Sequence, residues 1–237
     1  MKIFTIKGIG RHHPLHSEDH LYYKQINDRW FIGAVMDGCS SAVESYFPST
    51  LYAKSLAKSA QQISSDAEST AKETGERLLK NVMTDLRTVQ ETLGLNLDEI
   101  LATMLLLVVD LEKTEAHVWA AGDGYIICDG QITEIDHRNT PDYPAYHLHK
   151  PFKEWLKKHT TYHKFTSFVD LTISSDGIGK IIKNPMISGL DVSPLNYLLL
   201  DPPHAVSDQV LQKKYEALIN QHGYMAYDDV SALRLLR

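Results

Sequence analysis

Four acidic sites in this chain each lie beside or at the end of an apolar segment. They are Glu18-Asp19, Asp37-Gly38, Asp176-Gly177 and Asp228-Asp229. Asp37 and Asp176 each end an apolar run, whereas Asp228 precedes one. Carboxylates gathered at the ends of strands repel one another unless a cation lies between them. The pattern therefore predicts that these distant segments converge on a site for divalent metal ions, as in a metal-dependent hydrolase.

A chain of 237 residues fits one sizeable domain or two small ones, and its 43% of hydrophobic residues is enough for a substantial core. Nothing in the sequence forces a split, so we interpret residues 1–237 as one domain. The net charge of −6 argues against nucleic acid as a partner. The two cysteines have no metal-motif spacing and form no disulfide framework, which indicates a reducing compartment. No signal peptide or membrane-spanning run is apparent. We therefore expect a cytoplasmic monomer without membrane partners.

Hydrophobic periodicity predicts strands, then two helices, more strands, a helix and a last strand. The predicted strands are 2–6, 21–26, 30–36, 104–109, 117–121, 125–128, 131–135, 166–174 and 230–236. The predicted helices are 48–63, 78–93 and 206–219, of which the second ends at Gly94. We interpret 104–135 as a continuous meander of antiparallel strands. Helices segregated from antiparallel strands indicate an α+β fold.

Residues 137–164 break this rhythm. The segment is rich in proline and histidine and carries a basic stretch at 153–158. We interpret it as a surface insertion with one short helix, and we expect its histidines to be surface residues.

An Asp-Gly pair after an apolar run also favours a simple hairpin turn. Asp129-Gly130 provides a comparison within the chain, because a strand pattern resumes directly after it, and we assign this pair to a turn. No strand pattern follows Asp37-Gly38 or Asp176-Gly177.

Oxygen-only ligands favour magnesium or manganese over zinc. Two such ions about 3.5–4 Å apart can hold a bridging water and clamp a phosphoryl group, so the pattern predicts phosphate-ester hydrolysis.

Six motifs resemble, in the same order, those of the metal-dependent serine/threonine protein phosphatases of type 2C. They are Ser17-Glu18-Asp19, Val35-Met36-Asp37-Gly38, Ala102-Thr103-Met104, Ala121-Gly122-Asp123-Gly124, Ser174-Ser175-Asp176-Gly177 and Asp228-Asp229-Val230-Ser231. The resemblance implies a four-layer α-β-β-α sandwich of two antiparallel sheets flanked by helices. It also implies a role in signal transduction, with phosphoserine and phosphothreonine monoesters on proteins hydrolysed by a water bridging two Mg²⁺ or Mn²⁺ ions.

The resemblance implies metal-binding roles for Glu18, Asp19, Asp37, Gly38, Asp123, Asp176 and Asp228. Asp37 would bridge the two ions, and Asp176 and Asp228 would complete one site. Glu18 and the carbonyl group of Gly38 would belong to the second site.

Two of these residues would act less directly. Asp19 would act through bound water, and Asp123 would share a looser third ion with Asp176. The segment 137–164 falls where the family carries a variable flap near its active site.

The chain departs from the family pattern in three places. The family often has His-Gly-Gly after Asp-Gly, but here Cys39-Ser40-Ser41 follows, and a thiol is a poorer proton donor to a leaving alkoxide. Gly124 replaces the usual serine. The phosphate-binding arginine of the family has one candidate, Arg11, whose spacing to Glu18 is longer than usual; a solvated surface charge is the alternative.

Four histidines near the first acidic motif bear on the missing proton donor: His12, His13, His16 and His20. Pro14 and the preceding glycines favour a loop here, which argues against a helical zinc site. We take His13 as the candidate general acid in the metal cleft; the alternative is that all four are ordinary loop histidines.

Two other functions remain open. The first is a catalytically degenerate family member that binds a phosphoprotein or another partner without turnover. The changed His-Gly-Gly segment and the displaced arginine favour it, whereas the complete set of carboxylates does not. The second is a metallophosphoesterase that acts on small molecules. A calcineurin-like version is disfavoured, because no histidine follows Gly122-Asp123.

Overall fold

The computed structural model describes residues 1–13, 15–63, 69–138, 140–187, 190–201 and 207–237. Its strands are β1 (Lys2–Gly8), β2 (Asp19–Gln25), β3 (Trp30–Asp37), β4 (Met104–Asp110), β5 (Glu115–Ala121), β6 (Gly124–Cys128), β7 (Gln131–Ile135), β8 (Thr161–Phe165), β9 (Asp170–Ser174), β10 (Ile181–Lys183), β11 (Tyr224–Ala226) and β12 (Val230–Leu236). Its α-helices are α1 (Tyr46–Ile63), α2 (Ala71–Leu93), α3 (Phe152–Lys158) and α4 (Val210–His222).

Most of the strands form two five-stranded antiparallel sheets. The first sheet has the order β1-β12-β9-β6-β7, and the second has the order β2-β3-β4-β5-β8. The small pair β10-β11 lies apart from both. The two sheets stack face to face, with α1 and α2 on the outer face of the second sheet and α4 on the outer face of the first. The predicted four-layer α-β-β-α sandwich is confirmed.

Strand β3 shows how the sequence sets these layers. Phe31 and Val35 point between the two sheets, whereas Ile32, Ala34 and Met36 pack beneath the helices. Because successive side chains of a strand point to opposite faces, a strand covered on both sides is apolar throughout. The all-buried β4 follows the same rule, as its unbroken apolar run predicted.

The helices of the outer layer have clear boundary signals. Thr70 and Glu73 form a capping box at the start of α2. Gly94 ends this helix in a left-handed conformation with φ of 66°, which confirms the predicted stop. Of the predicted last helix, Val206 lies outside the described residues, and α4 begins at Val210. None of the helices in the described ranges combines the length and hydrophobicity needed to span a bilayer.

The prediction of a continuous meander over 104–135 is wrong at one point. Strands β5 and β6 belong to different sheets, so the chain crosses between the layers at Gly122-Asp123. Gly122 has φ of 93°, a left-handed backbone conformation that a residue with a side chain rarely adopts. Strand periodicity identifies strands but does not say which sheet they join, and this is why the crossing was missed.

The prediction of a surface insertion over 137–164 is wrong for much of its length. Ala145, Leu148 and Trp155 are buried against the helical layer. Residues 161–165 form β8, the edge strand that pairs with β5. His147 is also buried, contrary to the expected surface position, and Asn139 lies outside the described residues. The proline-rich composition predicts a surface loop, but the segment also contains an edge strand and residues of the core.

Candidate metal centre and active site

Antiparallel pairing brings the acidic residues to one end of the sandwich. Asp19 begins β2 and Asp37 ends β3, and the two are opposite each other in the register of that pair. In the other sheet, Asp176 follows the end of β9 and Asp228 precedes the start of β12, which pairs with β9. Four carboxylates that are remote in sequence therefore lie at neighbouring strand ends.

A buried serine joins the two sheets at this end. The Ser175 hydroxyl donates a hydrogen bond of 2.7 Å to Asp19 Oδ2, and it accepts one of 3.0 Å from the backbone N–H of Ser231. Asp19 is thus held by the segment that also carries Asp176. Sequence reasoning gave Ser175 no role, although it stands inside the Ser174-Ser175-Asp176-Gly177 motif.

One lysine lies between two of the carboxylates. Lys180 Nζ is 2.8 Å from Asp176 Oδ2 and 2.6 Å from Asp228 Oδ2. Burial alone would lower the pKa of Lys180, but its bonds to Asp176 and Asp228 raise that pKa overall. Sequence reasoning missed this cation, although its position four residues after Asp176 on a helical turn was an available signal.

Burial, reinforced by neighbouring negative charges, raises the pKa values of Asp19, Asp37 and Asp176. Burial, followed by the negative charges of Asp19 and Asp176, raises the pKa of Asp37 well above its usual range. Burial also raises the pKa of Asp19 to about 7, and the charges of Asp229 and Asp228 add to it. The charge contributions to these shifts indicate that the carboxylates lie close to one another, as the ligands of a shared cation would.

The donor set fits a hard divalent cation. Asp19 Oδ1 and Asp176 Oδ1 are buried and have no hydrogen-bond partner among the described residues. The donors are carboxylate oxygens with unused lone pairs, which Mg²⁺ and Mn²⁺ prefer. A cation at these oxygens would satisfy them and would offset both the burial and the repulsion that raise the pKa of Asp37.

Glu18 is positioned through its backbone and its side chain. Its N–H donates to Asp229 Oδ2 at 2.5 Å, and the N–H of Gly10 donates to Asp229 Oδ1 at 2.6 Å. The Ser40 hydroxyl donates to Glu18 Oε2 at 2.6 Å. Asp229 and Ser40 are therefore positioning residues, a role that sequence reasoning did not assign to either of them.

The structure brings His13 into the cluster. His13 Nε2 lies 3.3 Å from Glu18 Oε2, and Nδ1 lies 3.7 Å from Asp228 Oδ1. Nδ1 is also 3.1 Å from Asp229 Oδ2, but it is not aligned for a hydrogen bond. This is the place that a proton donor in the cleft would occupy, and the role itself stays a prediction.

The structure does not bring Arg11 into the cluster. Its backbone N–H donates to the carbonyl of Ala226 at 2.9 Å, and its Nη1 donates to the sulfur of Met225 at 3.4 Å. These contacts hold Arg11, which is exposed, beside strand β11. The alternative given for Arg11, a solvated surface charge, agrees with this position.

The two Asp-Gly pairs of the cluster are not hairpin turns. A Cβ atom at Gly38 would lie 1.9 Å from the carbonyl oxygen of Ser45, and one at Gly177 would lie 1.8 Å from that of Asp229. Glycine is needed at both positions because the backbone of another segment approaches closely. Asp129-Gly130 does form the predicted turn between β6 and β7, with φ values of 49° and 85°.

Comparisons with known proteins identify the family. A family model described as Protein phosphatase 2C matches residues 10–210. The chain belongs to the protein phosphatase 2C family. Membership supports a phosphatase activity that depends on divalent metal, in agreement with the donor set. No curated protein matches the chain.

Solved structures share the protein phosphatase 2C fold with this chain. A variant of a bacterial serine phosphatase is similar with a TM-score of 0.68 and 13% identity, over 100% of this chain and 98% of that chain. Stp1 from Staphylococcus aureus is similar with a TM-score of 0.63 and 11% identity, over 100% and 95%. RsbX in complex with magnesium is similar with a TM-score of 0.54 and 13% identity, over 98% and 92%. At these identities the likeness shows the fold alone.

Two details of this protein phosphatase 2C domain concern Asp123 and Cys39. Asp123 is buried, and its Oδ1 accepts the backbone N–H of His137 at 2.9 Å and contacts His137 Nδ1. It lines a small cleft of about 210 Å³ together with Asp176. The Cys39 thiol lies 3.0 Å from the Ser41 hydroxyl. One oxygen of Asp123 is thus engaged by histidine, and the predicted third ion stays a prediction.

Proposed function

We propose that this protein hydrolyses phosphoserine and phosphothreonine monoesters on proteins, with Mg²⁺ or Mn²⁺ as its cofactor. The observation that carries the proposal is the convergence of three carboxylates from separate motifs. Asp37, Asp176 and Asp228 influence one another electrostatically, and the last two share the ammonium group of Lys180.

The chain's own residues have distinct parts in this proposal. Asp37 would serve both ions, with Asp176 and Asp228 on one side of it and Glu18 and the Gly38 carbonyl on the other. Asp19 would act through water, consistent with its hydrogen bond from Ser175. When bound, two divalent ions would supply an activated water and a clamp for the phosphoryl oxygens.

A surface cleft beside the cluster suits a phosphorylated side chain on a protein. The cleft has a volume of about 830 Å³, and its lining includes His12, His13, Ser40 and Lys180. Lys180 would contribute its positive charge to the binding of a phosphate dianion. An open cleft of this size accepts the side chain of a peptide without enclosing the whole substrate.

His13 is the proposed general acid for the leaving alkoxide. It stands at the cleft within 3.3 Å of Glu18, whereas Cys39 occupies the position where the family often has histidine. An imidazole is a better proton donor to a leaving alkoxide near neutral pH than a thiol is. Arg11 would have to leave Met225 to reach a bound phosphate, so its proposed role is secondary to that of Lys180.

We extend the proposal to the domain organisation of the protein and to its cellular setting. Residues 1–237 would form one catalytic domain, and the flap over the active site would be the part of 137–164 outside its core residues and β8. The protein would act as a cytoplasmic monomer in signal transduction, with phosphorylated proteins as its partners.

Hydrolysis of defined phosphopeptides tests the proposal. We expect the full chain to release phosphate from phosphoserine and phosphothreonine peptides in the presence of Mn²⁺ or Mg²⁺, and to lose this activity in excess EDTA. The measurement is initial rate against metal concentration, with a phosphotyrosine peptide and a small aryl phosphate as comparison substrates. We expect the serine and threonine peptides to have the highest kcat/KM.

Three outcomes would contradict it. Full activity in EDTA would exclude a metal-dependent reaction. Binding of metal and phosphopeptide without turnover would instead favour the degenerate, partner-binding family member. A preference for small phosphate esters over peptides would favour a small-molecule phosphoesterase.

A further inference from the structure

A second group of possible metal ligands lies outside the carboxylate centre. Asp142, His147 and His159 offer one ligand atom each, and these atoms all lie within 4.8 Å of one another. Asp142 is in the loop after β7, His147 ends the short helical turn 144–147, and His159 follows the last residue of α3. Three separate parts of the segment 137–164 therefore meet at one point.

The two imidazole rings converge on one carboxylate. His147 Nε2 lies 2.5 Å from Asp142 Oδ1, and His159 Nδ1 lies 2.7 Å from Asp142 Oδ2. The rings are stacked, with centroids 3.8 Å apart and planes at 27°. Each of the three side chains thus directs an electron-pair donor atom into the same small space.

The burial of His147 makes this arrangement more than a surface contact. Its relative exposure is 6%, and its Nδ1 has no hydrogen-bond partner among the described residues. The contact of Nε2 with Asp142 is therefore what offsets the desolvation of this buried ring, and a cation bound at Nε2 would offset it more strongly. Lys150 Nζ lies 3.3 Å from His159 Nε2 on the exposed side and leaves Nδ1 of that ring directed at Asp142.

We propose that Asp142, His147 and His159 bind one transition-metal ion of the zinc class. Imidazole nitrogen and carboxylate oxygen are ligands that zinc accepts in tetrahedral sites, whereas Mg²⁺ prefers oxygen alone. Ligand atoms about 2.0–2.1 Å from a tetrahedral ion are roughly 3.4 Å apart, so a small outward movement of the three side chains accommodates the ion. The fourth position is open to water.

The site lies next in sequence to a residue that reaches the carboxylate centre. Tyr143 follows Asp142, and burial together with its contact to Cys39 and the charge of Asp37 raises the pKa of Tyr143. His137, at the start of the same segment, contacts Asp123. A bound ion would tie the end of α3 to the loop that carries Tyr143, and so would hold this loop against the active site.

Cobalt binding to the full chain tests the site. Four-coordinate Co²⁺ with nitrogen ligands absorbs visible light more strongly than Co²⁺ in an octahedral oxygen site, so excess Mg²⁺ is added first to occupy the carboxylate centre. We expect one equivalent of Co²⁺ to give this absorption and Zn²⁺ to displace it. In His147→Gln and His159→Gln, we expect Zn²⁺ affinity to fall by about 100-fold or more.

Two matched variants separate this site from the rest of the molecule. His149→Gln changes an exposed histidine of the same segment, and Asp37→Asn changes the carboxylate centre; both should retain the absorption. Because His147 is buried, the melting temperature of each metal-free variant is measured first. His159→Gln changes a more exposed ligand and tests the site even if His147→Gln does not fold.

No absorption in the unmodified chain would overturn the proposal. So would absorption that survives in folded His147→Gln and His159→Gln, or that disappears in Asp37→Asn. Phosphatase activity in Mg²⁺ alone is measured separately, so failure of this site and failure of the proposed function are distinguishable.

Discussion

Replacing Asp37 with asparagine is expected to lower kcat/KM for a phosphoserine peptide by about 10³-fold or more, the upper range for loss of a single electrostatic stabiliser. Asp37 carries the charge to which Asp19, Asp176 and Asp228 are all coupled, so it is central to the cluster. Asparagine keeps the size of the side chain but removes the charge that holds a divalent ion. The measurement is initial rate at a series of Mn²⁺ concentrations.

The chain contains a matched control for this substitution. Asp129→Asn makes the same chemical change in the Asp-Gly pair of the β6-β7 turn, away from the cluster. Asparagine tolerates the left-handed conformation that Asp129 adopts, with φ of 49°. Asparagine also keeps the Oδ1 that accepts the N–H groups of Val169 and Asp170, so we expect this variant to keep its activity within about twofold and to lose roughly 1 kcal/mol of stability or less. Equal loss in both variants, or near-normal turnover in Asp37→Asn, would contradict the assignment.

The second large effect is a stabilisation by metal that grows with pH. The pKa of Asp19 is about 7 in the folded metal-free protein, against an ordinary value of 3.8, and the pKa values of Asp37 and Asp176 are also raised. A carboxyl group with a raised pKa binds its proton more tightly in the folded state. Its contribution therefore favours folding at low pH and is lost as pH rises from about 4 towards 7.

Metal binding reverses this loss, because it requires the ionised carboxylates. At 100 times its Kd, an ion that binds only the folded state adds about 2.7 kcal/mol, which corresponds to roughly 5–10 °C in Tm for a chain of this size. We expect a Tm increase of that order with saturating Mn²⁺ at pH 8 and a much smaller one at pH 5 at the same Mn²⁺ concentration. Differential scanning fluorimetry at both pH values measures it.

The quantity to compare is the change in Tm that Mn²⁺ produces at each pH, not the Tm itself. His117 and His163 have pKa values lowered by burial, so their contributions change stability with pH in the opposite direction. These histidines lie outside the cluster and contribute equally with and without Mn²⁺.

The Lys180→Met variant provides a second test of the same effect. Without the ammonium group, the metal-free protein should be less stable at pH 8, and its Tm should rise more when Mn²⁺ is added. A metal effect independent of pH in both proteins would contradict the account.

The sequence allowed the carboxylates to be predicted because each is tied to a recognisable strand end. Asp37 and Asp176 follow apolar runs without a returning strand, and antiparallel pairing then places them with Asp19 and Asp228. The distinction from Asp129-Gly130 also came from local pattern alone. The layer order could be predicted only through the family resemblance, since periodicity left the pairing of strands open.

Most of the contacts that complete the centre were not predictable from local pattern. The spacing of four residues links Lys180 to Asp176, but the contact of Lys180 with Asp228, 48 positions away in sequence, depends on the fold. Ser175 and Asp229 act through hydrogen bonds between sheets, which depend on tertiary structure. The same applies to His147, which lies in a proline-rich segment typical of a surface loop but is buried and stacked on His159.

The most direct test of a shared divalent-cation centre is a crystal structure of the full chain grown with Mn²⁺, with anomalous scattering used to locate the ions. We expect an anomalous peak within coordination distance of the carboxylates of Asp37, Asp176 and Asp228. We also expect Lys180 Nζ to have moved away from Asp176 and Asp228, which it contacts in the metal-free protein. Mn²⁺ bound elsewhere on the protein, with no peak between these three carboxylates, would contradict it.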